Sequence, residues 1–331
     1  MKNDLIQKLV EAYGPSGFED QIRDLIRPEV ELHATEVRVD PMGNLIARRE
    51  GDGSGLKVMI AAHMDEIGVM VTHITEKGFL RFTNIGGVYP HTLMGNRVQF
   101  ADGTVGLIYS EKLEGGGKVH SLDKHYIDVG ASSREDSPVQ VGDAAGFARS
   151  FLAQGSLLSA KSMDDRIGCA IAIETLRRLE NSPHDVYFVF SVQEEVGTRG
   201  AQAAANALEP DVGIALDVTT TGDTPEAETM AVELGAGPAI KVKDSGMISH
   251  AGLVRAMRQR AEEADIPYQL EVLTGGSTDA RSIQIAGPGS AAGVISIPCR
   301  YVHSQSETVD ADDVENSVRL LVEILSKPLE W

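Results

Sequence analysis

A chain of 331 residues exceeds what one hydrophobic core usually supports, so two domains are the default. Its 49 acidic and 30 basic residues leave a net charge of −19, which argues against nucleic acid or an anionic membrane as partner, since both demand basic patches. Only two cysteines, Cys169 and Cys299, occur, each in an apolar context; this argues against a disulfide framework and fits a reducing cytoplasm.

The start, Met1 to Val10, mixes apolar and polar residues at helical spacing and lacks the unbroken apolar core of a signal peptide. No stretch reaches the roughly 18 apolar residues of a membrane span. Ser16-Gly17-Phe18-Glu19 reads as a capping box that opens a helix running to about Val30. A hairpin follows, turning at Asp40-Pro41-Met42-Gly43-Asn44. Lys57 to Ala62 is a buried strand, capped by His63-Met64-Asp65.

The texture then changes. From about Gly68 to Leu158, short alternating runs are broken by Gly, Asp and Asn, as in Arg97-Val98-Gln99-Phe100, the turn Ala101-Asp102-Gly103, and Val105 to Tyr109. Short strands without helical patterns predict a small β-barrel or sandwich. Glu114-Gly115-Gly116-Gly117 reads as a loop tip. After Ala160 strands and helices alternate again. Helices are expected over Arg166–Leu179, Gly200–Leu208, His250–Ala264 and Asp312–Ser326. Strands are expected over Asp185–Val192, Val212–Leu216, Tyr268–Leu273 and Ala292–Ile297. This alternation implies a sheet with helices on both faces. The simplest organisation is one α/β domain, residues 1–67 and 159–331, interrupted by a β insertion over 68–158.

The pair Glu194-Glu195 stands just beyond the apolar run Val186-Tyr187-Phe188-Val189-Phe190. Two carboxylates at the end of a buried strand are costly unless something uses them. In an open α/β sheet, ligands bind beyond the carboxyl ends of the strands. Other acids and histidines stand at similar places: His63-Met64-Asp65, Asp164-Asp165-Arg166, Asp217 after Ile214-Ala215-Leu216, and His303 after Val294-Ile295-Ser296-Ile297. Taken singly, each has a plain structural explanation as a helix cap, loop acid or surface histidine. Gathered on one sheet edge, two histidines and several carboxylates form an N/O ligand set that suits zinc, cobalt or manganese.

Order and spacing together make the chain resemble metallopeptidase family 42, the glutamyl and tetrahedral aminopeptidases. The matching segments are Ala62-His63-Met64-Asp65-Glu66-Ile67-Gly68, Asp164-Asp165-Arg166-Ile167-Gly168, Gln193-Glu194-Glu195-Val196-Gly197, Ala215-Leu216-Asp217 and Tyr301-Val302-His303-Ser304. The resemblance implies a zinc-peptidase-like α/β catalytic domain with an inserted β-barrel, and a site for two divalent metal ions. It implies His63 and Asp217 on one ion, Glu195 and His303 on the other, and Asp164 bridging them, with a cis peptide between Asp164 and Asp165. Glu194 would be the general base, and Asp65 would orient His63. The resemblance also implies short peptide substrates and subunits paired through the β domain into dimers that build dodecamers.

Gly275-Gly276-Ser277-Thr278-Asp279 is a candidate wall of the substrate pocket, because glycines admit close backbone approach. A strand-to-helix turn capped by Thr278 or Asp279 is the plainer reading. His91, ending Val88-Tyr89-Pro90-His91, is a candidate to reach the site from the β insertion. The expected activity is a metal-dependent aminopeptidase. A related dinuclear carboxypeptidase or deacylase is the alternative. A glycosidase is disfavoured, because a pair of acids would not need both histidines, and Trp331 is the only tryptophan for sugar stacking.

Overall fold

The computed structural model describes residues 2–112, 120–225 and 227–330. The loop tip expected at Glu114–Gly117 and the lone Trp331 lie outside the described residues.

Helix α1 (Asn3–Val10) buries Leu5, Ile6, Leu9 and Val10, the spacing of one helical face. Helix α2 (Asp20–Glu31) does the same with Ile22, Ile26 and Val30. No capping box opens it. The Ser16 hydroxyl instead donates to Asp65 Oδ2 at 2.6 Å, and Glu19 accepts from the backbone amides of Gly17 and Gln193. The local pattern is right, but both side chains are drawn into longer-range contacts. Strands β1 (Glu36–Val39) and β2 (Leu45–Arg49) form the expected hairpin. Asp40 Oδ1 closes its turn by accepting from the amides of Met42, Gly43 and Asn44.

Strand β3 (Lys57–His63) runs into a closed barrel of β4 (Gly68–Ile74), β5 (Leu80–Ile85), β6 (Arg97–Phe100), β7 (Val105–Ser110), β8 (His125–Asp128) and β9 (Ala144–Phe147), in the order β4-β5-β8-β7-β6-β9. Its core holds Val69, Leu80, Phe82, Val98, Phe100, Ile108, Ile127 and Phe147. Closure pairs every edge of these short strands.

The chain then returns through β10 (Leu152–Gln154), β11 (Leu157–Ala160), α3 (Met163–Arg178), β12 (Asp185–Ser191), α4 (Arg199–Leu208), β13 (Val212–Thr219) and β14 (Ala239–Lys243). It ends with α5 (Ala251–Glu263), β15 (Gln269–Val272), α6 (Asp279–Ile285), β16 (Ala291–Arg300), β17 (Glu307–Asp310) and α7 (Ala311–Leu325). The large sheet has the order β1-β2-β12-β3-β13-β16-β17-β11-β10, with β14 beside β16 and β15 outside it. Strands β12, β3, β13 and β16 are parallel neighbours, and β2 and β17 flank them antiparallel. It is a mixed sheet between helices. Residues of α1, α2, α3, α5 and α7 fill the core on one face. Alanines of α4 with Ile283 and Ala286 at the end of α6 cover the other. Burial on both faces explains why the first part of β13, Val212 to Leu216, reads as an unbroken apolar run.

Two details were not legible in the sequence. The barrel strands end at Phe147, and β10 and β11 already pair with the large sheet through β17. Alternating runs mark half-buried antiparallel strands but not the sheet they join. Strand β14 buries Lys241, and β17 buries Glu307 and Asp310, so they lack a clean apolar signal.

Glu66 joins the two parts of the molecule. This buried carboxylate accepts from Lys161 Nζ at 2.6 Å, Ser162 Oγ at 2.5 Å and the Gly14 amide at 3.0 Å. It thereby ties the N-terminal segment and the start of the barrel to the turn that opens α3.

Candidate metal centre

Parallel pairing puts the carboxyl ends of β3, β12, β13 and β16 on one edge. Register is explicit: His63 lies opposite Ser191, and Asp217 opposite Ser296. The buried ring of His63 has Nε2 at 3.0 Å from Asp164 Oδ1 and 4.0 Å from Asp217 Oδ1. His303, in the turn after β16, has Nε2 at 3.4 Å from Asp164 Oδ2 and 3.3 Å from Glu195 Oε2. Two triads result, His63–Asp164–Asp217 and Asp164–Glu195–His303, each with ligand atoms within 4.8 Å of one another. They share Asp164, whose peptide to Asp165 is cis.

Three carboxylates in one buried space repel one another and lose hydration. Burial, reinforced by Asp164, pushes Asp217 well above the usual carboxylate range. Burial likewise raises Glu195. For Asp164 burial acts in the same sense, but hydrogen bonds from His303 and His63 outweigh it and hold the carboxyl low. The histidines pay the reciprocal shift. Burial opposes their charging, yet the facing carboxylates raise His63 well above its ordinary value and His303 to about 12. The cluster therefore demands positive charge, from protons or from a cation. Glu195 Oε1 is buried without a hydrogen-bond partner, as an acceptor awaiting a cation would be. Imidazole nitrogens with carboxylate oxygens fit a divalent ion such as zinc, cobalt or manganese.

A second layer fixes these side chains. Asp65 Oδ1 accepts from the Glu194 amide at 3.0 Å and lies 3.5 Å from His63 Nδ1. Its Oδ2 accepts from the Glu195 amide at 3.2 Å. Glu307, buried at the start of β17, accepts from the His303 amide at 2.8 Å and the Asp164 amide at 2.9 Å. Sequence reading missed Glu307, because its partners are backbone amides, which leave no trace in residue types. The barrel also reaches the site. A Cβ on Gly87 would lie 2.3 Å from His303 Nδ1, and one on Gly86 3.0 Å from Glu195 Oε2.

The site opens into a cavity of about 810 Å³. Asp164, Glu194, Glu195, Asp217 and His303 line it, and so do Gly275, Gly276 and Ser277. His91 is exposed and lines a smaller neighbouring cavity instead. Thr278 caps α6, its Oγ1 accepting from the Ala280 amide, while the buried Asp279 accepts from Ser191 Oγ at 2.5 Å. Arg166 is buried and donates to the backbone of Leu9 and Gly14. Arg300 lines the cavity but pairs with Asp223 at 2.6 Å, and Arg281 stays exposed on α6.

The M42 glutamyl aminopeptidase family matches residues 43–320. The chain belongs to that family. It is thus an enzyme that hydrolyses peptide bonds, of a metal-dependent kind. A putative aminopeptidase of Acetivibrio thermocellus is 47% identical over 97% of this chain and 98% of its own length. An aminopeptidase from the archaeon Desulfurococcus kamchatkensis superposes with a TM-score of 0.94 at 40% identity, covering 98% of this chain and 94% of that one. The TET1 peptidase of Pyrococcus horikoshii, which assembles into a tetrahedron or a large octahedral shell, superposes with a TM-score of 0.87 at 34% identity, covering 98% and 99%.

Because Glu307 holds the backbone of two residues of one triad, Glu307→Gln should weaken zinc binding about 10- to 100-fold while the fold survives. Calorimetric zinc titration of the chelator-treated protein checks this. Wild-type affinity in the variant would contradict it.

Proposed function

We propose that this chain is an aminopeptidase that removes N-terminal residues from short peptides, using two divalent cations, zinc or cobalt with manganese as a further candidate. His63 and Asp217 would hold one, Glu195 and His303 the other, with Asp164 between them. The observation that carries this reading is the pair of triads sharing Asp164 with Glu194 beside them in one cavity. When bound, such a cation pair makes hydroxide available near neutral pH and stabilises negative charge on the carbonyl oxygen.

The chain's own groups then have definite tasks. Glu194 takes the proton of the attacking water and passes it to the leaving amine. Burial, with further push from Asp217 and Asp279 against a pull from His63, raises its carboxyl well above the usual range. Asp65 sets the direction of Glu194 and Glu195 through their amides, and the ring of His63 through Nδ1. The buried acids also favour a cationic or metal-ligating group, which suits the free α-amine of a peptide. A carboxypeptidase would instead need a cation aimed at a carboxylate; of the cations lining the cavity, Arg300 is committed to Asp223 and the buried Lys241 to Glu271, which leaves Arg281 alone. Gly275, Gly276 and Ser277 form part of the wall facing the N-terminal residue.

Assembly belongs to the same proposal. On β7 the residues alternate, leaving Val105, Leu107 and Tyr109 exposed as an apolar strip on the barrel. We assign this face, within the inserted segment 68–158, to pairing with a second copy, and the dimer to a dodecameric shell; the solved PhTET1-12s structure, similar to this chain, is a dodecamer.

Three outcomes test these readings. Glu194→Gln should keep bound metal yet cut peptide hydrolysis by about 10²–10⁴. On wild type, mass spectrometry should show an N-terminal ladder from a short peptide and none from its N-acetylated form. A fully active variant, or losses from the C-terminus, would overturn the assignment. Leu107→Glu combined with Tyr109→Glu should yield a smaller particle in light scattering, and an unchanged particle would refute the pairing face.

A further inference from the structure

The cavity at the metal centre is deep on one side and open on the other. Its deep wall includes Lys241 and Cys299, both fully buried. Its open side carries two tyrosines, Tyr89 at 49% exposure and Tyr301 at 57%. A substrate cut at its first residue needs a closed end for that residue and an open way out for the rest. The buried end fits the first need, and the tyrosine side fits the second.

On that open side lies a second cavity of about 420 Å³. Tyr89, His91, Tyr301 and Val302 form its walls, with Thr92 and Ser304 among its polar groups. It abuts the metal-bearing cavity, and Tyr89, Tyr301 and Val302 line both. The Tyr89 ring stands 6.1 Å from the ring of His303 and 5.8 Å from that of His91. An aromatic wall therefore leads outward from a residue of the metal cluster.

Large aromatic side chains held in water beside a functional site mark a surface that something covers. The backbone agrees. Tyr301 has φ of 62° and His303 φ of 60°, a left-handed conformation that bulky residues rarely adopt and that concentrates at ligand-holding segments. One turn thus presents His303 to the cluster and the Tyr301 ring to the second cavity.

Resting on the aminopeptidase reading, we propose that this second cavity is the subsite for the residue just after the scissile bond, and that it takes aromatic side chains. The Tyr89 and Tyr301 rings offer stacking and edge contacts of the kind aromatic pairs prefer. The binding of an aromatic residue there holds the leaving peptide beside the cluster. The barrel, through Tyr89 and His91, becomes a determinant of which peptides are cut.

The test compares two peptides that share the enzyme's best N-terminal residue, found with an aminoacyl panel, and differ next to it: X-Phe-Gly against X-Gly-Gly. Wild type should favour the phenylalanine peptide by about 10-fold or more in kcat/KM, mainly through a lower KM, in the range one hydrophobic pocket provides. Tyr89→Ala and Tyr301→Ala should each bring that ratio close to one. Independently of any variant's folding, the released dipeptide Phe-Gly should inhibit wild type about 10-fold more strongly than Gly-Gly. Equal kcat/KM for both peptides in wild type, equal inhibition by both dipeptides, or a preference that survives in folded Tyr89→Ala and Tyr301→Ala would overturn the subsite while leaving the aminopeptidase reading intact. A wild type that cleaves neither peptide would contradict that reading and the subsite with it.

Discussion

The repulsion among Asp164, Asp217 and Glu195 is the constraint around which this molecule is organised. Each carboxylate is held away from water, and each faces another or a histidine within a few ångströms. Such an arrangement is unfavourable unless positive charge compensates it. Without a cation, the two histidines supply that charge, as their raised pKa values record. With one, the same side chains turn into ligands. The geometry is thus costly for folding and useful for binding, as expected where function and stability compete.

The surrounding fold can be read as the means of maintaining that arrangement. Parallel strands align the bearing residues, and two buried acids, Asp65 and Glu307, then fix the backbone on either side of the cluster. Asp65 grips the loop after β12, while Glu307 joins the start of α3 to the turn after β16. Glu66 extends the same principle to the junction with the barrel, where Lys161 and Ser162 anchor the residues just before Asp164. The barrel is therefore more than an appendage. Its glycines 86 and 87 sit against Glu195 and His303 so closely that side chains there would collide with the cluster.

Much of this was legible in the residues themselves. Apolar runs with acids or histidines beyond their ends mark strands whose tips carry chemistry, and β3, β12, β13 and β16 follow that pattern. The change to short alternating runs after Gly68 marks the barrel, because such strands cover a core on one side only. What escaped reading depends on contacts distant in sequence. Ser16 and Glu19 spell a capping box, but Asp65 and Gln193 capture them. Glu307 binds amides, so nothing in its neighbours announces it. Strands β10 and β11 look like barrel strands until their partner β17 is known, and β17 itself hides because Val309 is its one buried apolar residue. The tyrosines at 89 and 301 are ordinary loop residues in sequence; only the fold brings them to one wall.

The central claim is that the buried acids form a paired cation site, and its most direct test is a titration of the chelator-treated protein with zinc, followed by calorimetry and thermal unfolding. A ligand that binds only the folded state must raise the unfolding temperature as its concentration passes the dissociation constant. The account predicts saturation at two ions per chain with a rise in unfolding temperature across the titration. Saturation at none, or an unfolding temperature indifferent to zinc, would contradict it.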